Sequence, residues 1–533
     1  MKYKLFKITA MLLAMSLLLT GCGYSAIGSE EEKEPSETED EVYDRYTSVT
    51  SLEGEVTNPK DDKFTLCWIK SKTLNPFSNM IGENEAVSSL MYEGLFTINP
   101  DFEAVPCLCT GYSVSDLTYT FTIKTNVTFH DGKSLTAKDV SYSIVRAMES
   151  DRFSSRLQCI SSVNTVDEHT LEVVVKEKNY TLPTLLDIPV VQSGTADDSI
   201  PMGTGPYVYN RGTDTIEPFL TEYLAYRDNL PVDKIYLYDI SDIEPDVAMS
   251  QRKVDLVLHN PLTDSLDVCI DHAALYYDTT VLQFVGFDTA DPLFSDSEVR
   301  RAMSHLINRE LIVSEVFNGM ATTAPLVLSP NAPGYEDMSE TYSSYSPQTF
   351  SSILNAKGAV DSDGDGWLEL NGNTISITFI VCNDDNYKVE AAEKITSALT
   401  SVGIKVRLRA LSHEDYLYAL NQRDFGMYYA EVRLPANFDL SEIIGIGGSV
   451  NYGSYTAYDE ALAAYLAAEN SEQKNTAAKE LCRFVYEKSP IVPICYNRNA
   501  IAVSRTEVRG ANPGQQYLFW DLAKWTISFE QED

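Results

Sequence analysis

Histidine, tryptophan and positive charge are scarce in this 533-residue chain. It contains six histidines and four tryptophans, and its 41 lysines and arginines face 78 aspartates and glutamates. Such an acidic balance disfavours nucleic acid and anionic membrane surfaces as partners, because both repel a negative protein. We therefore expect no nucleic-acid function, and the charge mainly favours solubility.

Sequence motifs of catalysis are also missing. The chain has no Gly-x-Ser-x-Gly and no phosphate-binding loop, and the adjacent acids Asp384 and Asp385 do not by themselves make a glycosidase. His130-Asp131-Gly132 places a histidine beside an acid, but neighbouring side chains at a turn point in different directions. We predict a binding protein with no catalytic residues, and a surface hydrolase is the weakest alternative.

Metal-binding spacing is absent as well. Cys107-x-Cys109 is too close for a zinc pair, and the histidines are far apart with no HExxH motif. We predict no cofactor. Beyond Cys22 the chain has eight cysteines, whose pairing cannot be deduced from spacing: Cys67, Cys107, Cys109, Cys159, Cys269, Cys382, Cys482 and Cys495.

The amino terminus carries signals for export. Three lysines in the first seven residues precede an apolar run at 8–19, which is too short to span a bilayer as a stable helix, and then Leu19-Thr20-Gly21-Cys22. This ending resembles the bacterial lipobox, in which the cysteine receives a diacylglyceryl group. We predict a lipoprotein signal peptide at 1–21 and lipid attachment at Cys22.

Residues 22–60 have the composition of a tether. They are rich in Ser, Glu, Asp, Pro and Thr, with an acidic cluster at 30–44 and little apolar surface to bury, so we predict disorder. No later stretch is apolar enough to cross a membrane. The lipid is then the only membrane contact, and the protein would act at the extracytoplasmic face of a bacterial membrane, facing the periplasm where an outer membrane exists.

Two segments of the remaining chain indicate alternating strands and helices. Residues 118–124 alternate in polarity as a half-buried strand, and Thr136 and Asp139 have the spacing of a capping box before a helix. Apolar residues recur at helical spacing over 389–402, and Gly403 ends this pattern. Residues 404–409 then alternate with a period of two, which is typical of a strand. This alternation predicts an α/β fold.

Several motifs in this region resemble the family 5 extracellular solute-binding proteins, the peptide, nickel and oligosaccharide receptors of ABC importers. The most specific block runs from Val127 to Val140 and contains His130-Asp131-Gly132-Lys133-Ser134-Leu135-Thr136-Ala137-Lys138-Asp139. The others are Tyr92-Glu93-Gly94-Leu95-Phe96, Tyr119-Thr120-Phe121-Thr122-Ile123, Gly203-Thr204-Gly205-Pro206-Tyr207, Phe287-Asp288, Phe294-Ser295-Asp296, Val299-Arg300-Arg301-Ala302 and Ile307-Asn308-Arg309.

The resemblance implies a two-lobed α/β fold of the periplasmic-binding-protein type (type II, the large cluster C form with an inserted subdomain in lobe I). On this basis lobe I comprises 61–96, 202–284 and 500–533, the inserted subdomain 97–201, and lobe II 285–499. The chain then crosses between the lobes twice, which makes a hinge that can close on a ligand. The implied partners are a small solute and a membrane complex of ABC permease and ATPase, and we expect a monomer.

The same resemblance implies a ligand site in 425–438. In the family's peptide receptors an acid four residues before a proline holds the ligand's amino terminus, and Glu431 lies four before Pro435, although Glu replaces the usual Asp. A charge-assisted pair with an ammonium group is physically reasonable. Arg433 shares a face with Glu431, so it either pairs with that acid or holds a ligand carboxylate. An internal ion pair is the structural alternative.

Further ligand candidates lie around this segment. Tyr428 and Tyr429 should point to opposite sides of a strand, so at most one faces the cleft. In lobe I, the loop at 73–77 resembles a loop that borders the ligand, where Asn75 could donate and Phe77 could stack; an Asn-Pro turn with a buried Phe is the alternative. The remaining candidates are Asn437 and Tyr452.

Residues 361–369 resemble a calcium-binding loop. Asp361, Asp363 and Asp365 occupy the first, third and fifth places and Gly366 the sixth, but the twelfth place holds Gly372 instead of Glu. A solvated turn is therefore the favoured interpretation, and a structural calcium ion is the alternative.

A short peptide is the first substrate expected. An oligosaccharide or a nickel chelate stays open within the same family. A sensory peptide receptor that does not transport is a different class of function, and the sequence alone does not separate it from an importer component.

Overall fold

The computed structural model describes residues 63–78, 80, 82–211, 218–225, 230–264, 272–332, 335, 338, 345–445, 448, 451–452, 457–504 and 508–527. The predicted signal peptide, Cys22 and the acidic tether lie outside the described residues. Among the described residues, no helix combines the length and apolar character needed to cross a bilayer.

The described part contains both strands and helices. The strands are β1 (Phe64–Trp68), β2 (Phe96–Ile98), β3 (Ala104–Pro106), β4 (Cys109–Ser115), β5 (Thr118–Ile123), β6 (Ile160–Thr165), β7 (Thr170–Val175), β8 (Tyr207–Arg211), β9 (Pro218–Glu222), β10 (Lys234–Asp239), β11 (Leu256–His259), β12 (His272–Phe287), β13 (Ala321–Thr323), β14 (Glu369–Leu370), β15 (Asn373–Thr374), β16 (Ser376–Cys382), β17 (Lys405–Leu411), β18 (Met427–Arg433), β19 (Ile491–Ser504), β20 (Val508–Arg509) and β21 (Thr526–Ile527). The α-helices are α1 (Gly82–Ser89), α2 (Ala137–Glu149), α3 (Pro245–Ser250), α4 (Ser297–Leu306), α5 (Arg309–Glu315), α6 (Pro347–Ala356), α7 (Asn386–Ser401), α8 (His413–Gln422), α9 (Ser441–Ile444), α10 (Ala457–Leu466) and α11 (Ser471–Lys488).

One large mixed sheet organises these elements. Its strand order is β17-β16-β18-β12-β19-β11-β1-β10-β9-β8, and β13 pairs with β19 beside this path. The two long strands β12 and β19 are antiparallel neighbours at its centre and run from one half of the sheet into the other. The predicted crossings at 284/285 and 499/500 fall within these strands, while the lobe boundaries themselves stay a prediction.

The central pairing is irregular where the chain passes between the halves. The register of β12 against β19 shifts between Asp278 and Leu282. Side chains replace the missing ladder bonds there: Thr279 Oγ1 donates to the Asn497 carbonyl at 2.6 Å, and the Thr280 backbone N–H donates to Gln515 Oε1 at 2.5 Å. Buried backbone groups need such partners, so the irregularity is stabilised without a regular ladder.

Both predicted local modules are confirmed. The strand predicted at 118–124 is β5, which lies in the antiparallel sheet β4-β5-β7-β6. The helix after it is α2, and the Thr136 backbone N–H donates to Asp139 Oδ2 at 3.0 Å as a capping box requires. The helix and strand predicted around Gly403 are α7 and β17, and Gly403 has a positive φ of 84°.

The His-Asp-Gly turn packs against the glycine-rich segment at 203–207. The His130 backbone N–H donates to the Gly203 carbonyl at 2.9 Å, and His130 Nε2 lies 3.0 Å from the Gly205 carbonyl. A Cβ at Gly205 would lie 2.4 Å from the Met91 carbonyl carbon, so only glycine permits this approach. Both motifs therefore have a structural role: they pack the two segments of chain against each other.

Residues of the predicted inserted subdomain also contact the predicted lobe II. The Tyr180 backbone N–H donates to the Leu466 carbonyl at 2.8 Å, and Asn437 Nδ2 donates to Thr181 Oγ1 at 3.0 Å. The rings of Phe102 and Phe438 meet edge to face, with centroids 5.3 Å apart. These polar and aromatic contacts hold the two regions together in the described conformation.

Arg300 joins the end of α11 to the start of α4. Its fully buried guanidinium donates to the carbonyls of Lys488 at 2.6 Å and Ser489 at 2.9 Å, and to that of Phe294 at 2.5 Å. Ser489 ends the helix in the left-handed conformation, with φ of 43°. Arg300 thus satisfies helix-end carbonyls that have no helical partner.

We expect Arg300→Met to lower the free energy of unfolding by about 3 kcal/mol or more, because several buried carbonyls lose their donor. Urea unfolding measures this loss. Arg301→Met is the matched control: Arg301 is partly exposed and its contact with Glu298 is 3.9 Å long, so its loss should cost less than about 1 kcal/mol. Equal effects of the two substitutions would contradict the capping role.

Candidate functional site

Three parallel strands of the second half of the sheet end at a common edge. β16 pairs in parallel with both β17 and β18, and these strands end at Cys382, Leu411 and Arg433. In open α/β sheets, ligands bind beyond the carboxyl ends of the strands. The predicted residues Glu431 and Arg433 lie at this edge, beside the central strands β12 and β19.

Glu431 is already bound by several groups of the protein. Tyr387 donates its hydroxyl proton to Glu431 Oε2 at 2.7 Å, and Gln283 Nε2 donates to the same oxygen at 2.5 Å. Lys388 Nζ lies 3.7 Å from Oε1, and the Glu431 side chain is 13% exposed. Glu431 is thus part of an internal ion pair, with Lys388 in the place that the sequence analysis considered for Arg433.

Lys388 is the centre of a buried cluster of charges. Its side chain is 7% exposed, and its Nζ lies 3.2 Å from Asp384 Oδ1 and 2.9 Å from Asp385 Oδ2. Burial alone lowers the pKa of Lys388, but Glu431 and the two aspartates outweigh it, so the net pKa is raised above its usual range. Lys388 therefore stays charged, and its one positive charge is shared by Glu431, Asp384 and Asp385.

The cation beside Glu431 is Lys388, and of the two alternatives given for Arg433 the contact with a ligand carboxylate stays a prediction. Arg433 is exposed at the end of β18. It lies close enough to Arg152, which precedes β6, for the two positive charges to repel each other. Arg433 therefore adds positive charge in the vicinity of Arg152, a residue of the predicted inserted subdomain.

Arg152 connects this region to the predicted ligand-bordering loop. Its Nη1 donates to the Pro76 carbonyl at 3.1 Å, and its Nη2 forms an ion pair with Glu85. Burial lowers the pKa of Arg152, Glu85 partly offsets this, and repulsion by Arg156 and Arg433 lowers the pKa further. An anion between Arg152 and Arg433 would relieve that repulsion.

The aromatic ligand candidates lie in the core. Tyr428 and Tyr429 do point to opposite sides of β18, but both are 1% exposed and belong to different apolar clusters. Tyr452 is 7% exposed and packs edge to face on Tyr428, with centroids 5.2 Å apart. The predicted ligand roles of these three residues are therefore corrected to packing roles.

The predicted amide ligands are also engaged within the protein. Asn75 Nδ2 donates to the carbonyls of Ala196 at 2.8 Å and Asp198 at 2.7 Å, which uses both of its side-chain protons. The geometry thus gives Asn75 a structural role and contradicts its expected donation to a ligand. Asn437 is 5% exposed and binds Thr181, so it is likewise corrected to a structural contact. Phe77 is only partly buried, so stacking by its ring stays a prediction.

The acidic loop before β14 brings four carboxylates together. Asp361, Asp363, Asp365 and Glu369 have oxygens within 4.8 Å of one another. Many of these oxygens accept bonds from the turn itself: Asp361 accepts from the backbone N–H of Gly364 at 2.7 Å, and Glu369 from that of Ser362 at 2.8 Å. This bonding fits the favoured solvated turn, and calcium binding stays a prediction.

Sequence reasoning missed Lys388, Gln283 and Arg152. Each lies far from Glu431 or Arg433 along the chain, and pairing of β12 with β18 is what brings Gln283 opposite Glu431. The run Asp384-Asp385-Asn386-Tyr387-Lys388 offered one signal, because its lysine follows two acids at helical spacing. Arg152 carried no comparable signal.

The fold and this edge are those of a two-lobed solute-binding protein, and sequence comparison identifies the family. The family model of the bacterial extracellular solute-binding proteins, family 5, matches residues 103–437. Because this match spans more than half of the chain, the protein belongs to that family.

Named relatives and solved structures agree with this assignment. The glutathione-binding protein GsiB of Salmonella typhi is 23% identical over 494 residues, covering 86% of this chain and 92% of the relative. A putative ABC transporter peptide-binding protein of Brucella ovis is 27% identical over 439 residues, covering 74% and 79%.

Among solved structures, HbpA2 from Haemophilus parasuis matches with a TM-score of 0.72 at 18% identity, and NikZ from Campylobacter jejuni in complex with Ni(L-His) with a TM-score of 0.64 at 19% identity. Each match covers 88% of this chain and 100% of the other. At such identities the structures show the shared fold.

We expect Lys388→Met to lower the free energy of unfolding by about 3 kcal/mol or more, because it leaves buried carboxylates without their cation. Urea unfolding measures this loss, and adding Glu431→Gln should restore part of it. Lys394→Met on the exposed side of α7 is the control and should cost less than about 1 kcal/mol. If Lys388→Met has no larger effect than this control, Glu431 returns as a candidate for binding a ligand amine.

Proposed function

We propose that this protein is the solute-binding component of an ABC importer and captures a carboxylate-bearing solute, with a short peptide as the first candidate. The observation that carries this proposal is the exposed Arg433 at the carboxyl end of β18, with Arg152 of the predicted inserted subdomain as a second positive charge in its vicinity. Arginine binds carboxylates through paired N–H donors. The relatives named as peptide-binding and glutathione-binding proteins support this class of solute.

The carboxylate of the peptide, rather than its amino terminus, is the group recognised at this edge. Glu431 accepts two hydrogen bonds and lies 3.7 Å from Lys388 Nζ, so its oxygens are already engaged within the protein. Arg433 is exposed, and Arg152 lies beside the loop at 73–77, where the ring of Phe77 is partly exposed. A peptide carboxylate with a neighbouring apolar side chain would match these groups.

Delivery to a membrane permease and ATPase complex follows from the same proposal. Two lobes closing on the solute would present a surface that a permease distinguishes from the open form. We further propose that the protein acts as a monomer, that it makes and breaks no bond of its solute, and that Cys22 anchors it by a lipid at the extracytoplasmic face of the membrane.

The ligand class can be tested by a thermal-shift screen of the purified full chain in mild detergent. Candidate ligands are di- to hexapeptides, glutathione, oligosaccharides and nickel-histidine complexes. A ligand at a hundred times its dissociation constant stabilises the folded form by about 2.7 kcal/mol, which gives a measurable shift. We expect hits among peptides, and hits confined to sugars would remove the carboxylate assignment.

Arg433→Met should weaken binding of a peptide hit by about 1.5–3 kcal/mol, because a charge-assisted bond to the ligand carboxylate is lost. Calorimetric titration measures the affinity. The amidated form of the same peptide should bind Arg433→Met and the unmodified protein equally well. Arg407→Met, on the exposed face of the edge strand β17, is the control variant and should bind both peptides normally. Equal losses for free and amidated peptides would contradict a carboxylate contact.

Cys22→Ser should abolish lipid attachment, because the acceptor thiol is lost. Metabolic labelling with a radioactive fatty acid and cell fractionation measure the outcome: the unmodified chain should carry label and sediment with membranes. Cys159→Ser is the control and should keep both properties. Label that persists in Cys22→Ser would show that lipid is attached elsewhere or that the membrane association has another cause.

A further inference from the structure

Three side chains of different types meet at the carboxyl edge of β16 and β17. Cys382 Sγ, an oxygen of Asp384 and a ring nitrogen of His413 lie within 4.8 Å of one another. Cys382 is buried, whereas Asp384 and His413 are exposed. The group therefore has a closed side formed by the sheet and an open side toward solvent.

The backbone holds these three residues in place from separate elements. Cys382 ends β16 opposite Leu411 of β17, and the Asn383 backbone N–H donates to the Leu411 carbonyl at 2.9 Å. His413 is the first residue of α8, whose amino terminus is capped by the Ser412 side chain. The backbone positions of the three side chains are thus fixed by a strand end, a hydrogen-bonded loop and a capped helix.

The donor set fits a borderline transition metal. Zinc binds thiolate sulfur, imidazole nitrogen and carboxylate oxygen, usually in a tetrahedron. Metal-to-donor distances of about 2.0–2.3 Å place the donors of a tetrahedron about 3.3–3.8 Å apart. Cys382 Sγ and His413 Nδ1 are 4.0 Å apart, so a small inward movement of exposed side chains completes the geometry.

We propose that Cys382, Asp384 and His413 bind one zinc ion through Sγ, a carboxylate oxygen and Nδ1, with the fourth position open. On binding, the Cys382 thiol gives up its proton to solvent as the sulfur–zinc bond forms. This site is independent of the proposed solute function, because none of its three ligands belongs to the Arg152 and Arg433 pair.

Other roles for this group fit less well. A reactive thiol needs a lowered pKa, whereas burial, with Asp384 adding to it, raises the pKa of Cys382 to about 12. Asp384 Oδ1 does contact Lys388 at 3.2 Å, but a carboxylate has two oxygens and can bind a cation through the other. Metal coordination uses all three side chains, whereas an ion pair uses only Asp384.

The test uses the untagged full chain in mild detergent, stripped with a chelator and titrated with Co²⁺ as a spectroscopic probe. We expect one Co²⁺ per chain with a thiolate-to-cobalt charge-transfer band, displaced by Zn²⁺. Cys382→Ser should abolish that band. His413→Ala changes an exposed side chain and should weaken Zn²⁺ binding by about tenfold or more.

Matched controls separate this site from other donors. Cys482→Ser and His169→Ala change a cysteine and a histidine outside the cluster and should keep the band and the affinity. Circular dichroism of the metal-free variants checks folding, and His413→Ala decides the case if Cys382→Ser misfolds. A band that survives Cys382→Ser, or unchanged affinity in His413→Ala, overturns the proposal. Binding lost only in Asp361→Asn would assign the metal to the acidic loop and also overturn it.

Discussion

Antiparallel pairing of β12 with β19 is the constraint on which the other features depend. These two strands carry the chain between the halves of the sheet, and Asn497 of β19 accepts a hydrogen bond from Gln283 of β12, the residue that lies opposite Glu431 of β18. Their ladder shifts register twice, between Asp278 and Leu282 and again between Gln283 and Phe284. Where the two halves of the sheet join, hydrogen bonds between Thr280 and the Gln515 side chain therefore replace the backbone hydrogen bonds of the ladder.

Buried charge at the carboxyl edge of the strands determines which charged side chains are left to bind a ligand. A buried carboxylate needs a compensating cation, and Lys388 supplies it from the first turn of α7. The three carboxylates around Lys388 leave that cluster with excess negative charge, whereas Arg433 is an exposed positive charge at the same edge. The same stretch of chain places Asp384 between Lys388 and the Cys382 and His413 pair, so one short loop serves two different clusters.

Local patterns in the sequence were sufficient for the fold class and for several elements. The capping box at Asp139 and the stop at Gly403 are interactions between neighbours in sequence, so periodicity and turn chemistry predict them. The family resemblance supplied the overall architecture. The partners of Glu431 could not be predicted, because Lys388 and Gln283 reach it only through strand pairing over long separations. For the same reason the spacing of Cys382 and His413 gave no metal signal: the contact depends on the parallel pairing of β16 with β17.

The acidity of the chain has a consequence for how quickly an anionic solute can arrive. With a formal net charge of −37, the protein repels anions at distances where individual side chains are not resolved, and attraction by Arg152 and Arg433 acts only at short range. Salt reduces the long-range field more than the short contacts, since its screening length is about 8 Å at physiological ionic strength. Association of an anion with this cleft should therefore accelerate as salt is added, the opposite of ordinary electrostatic steering.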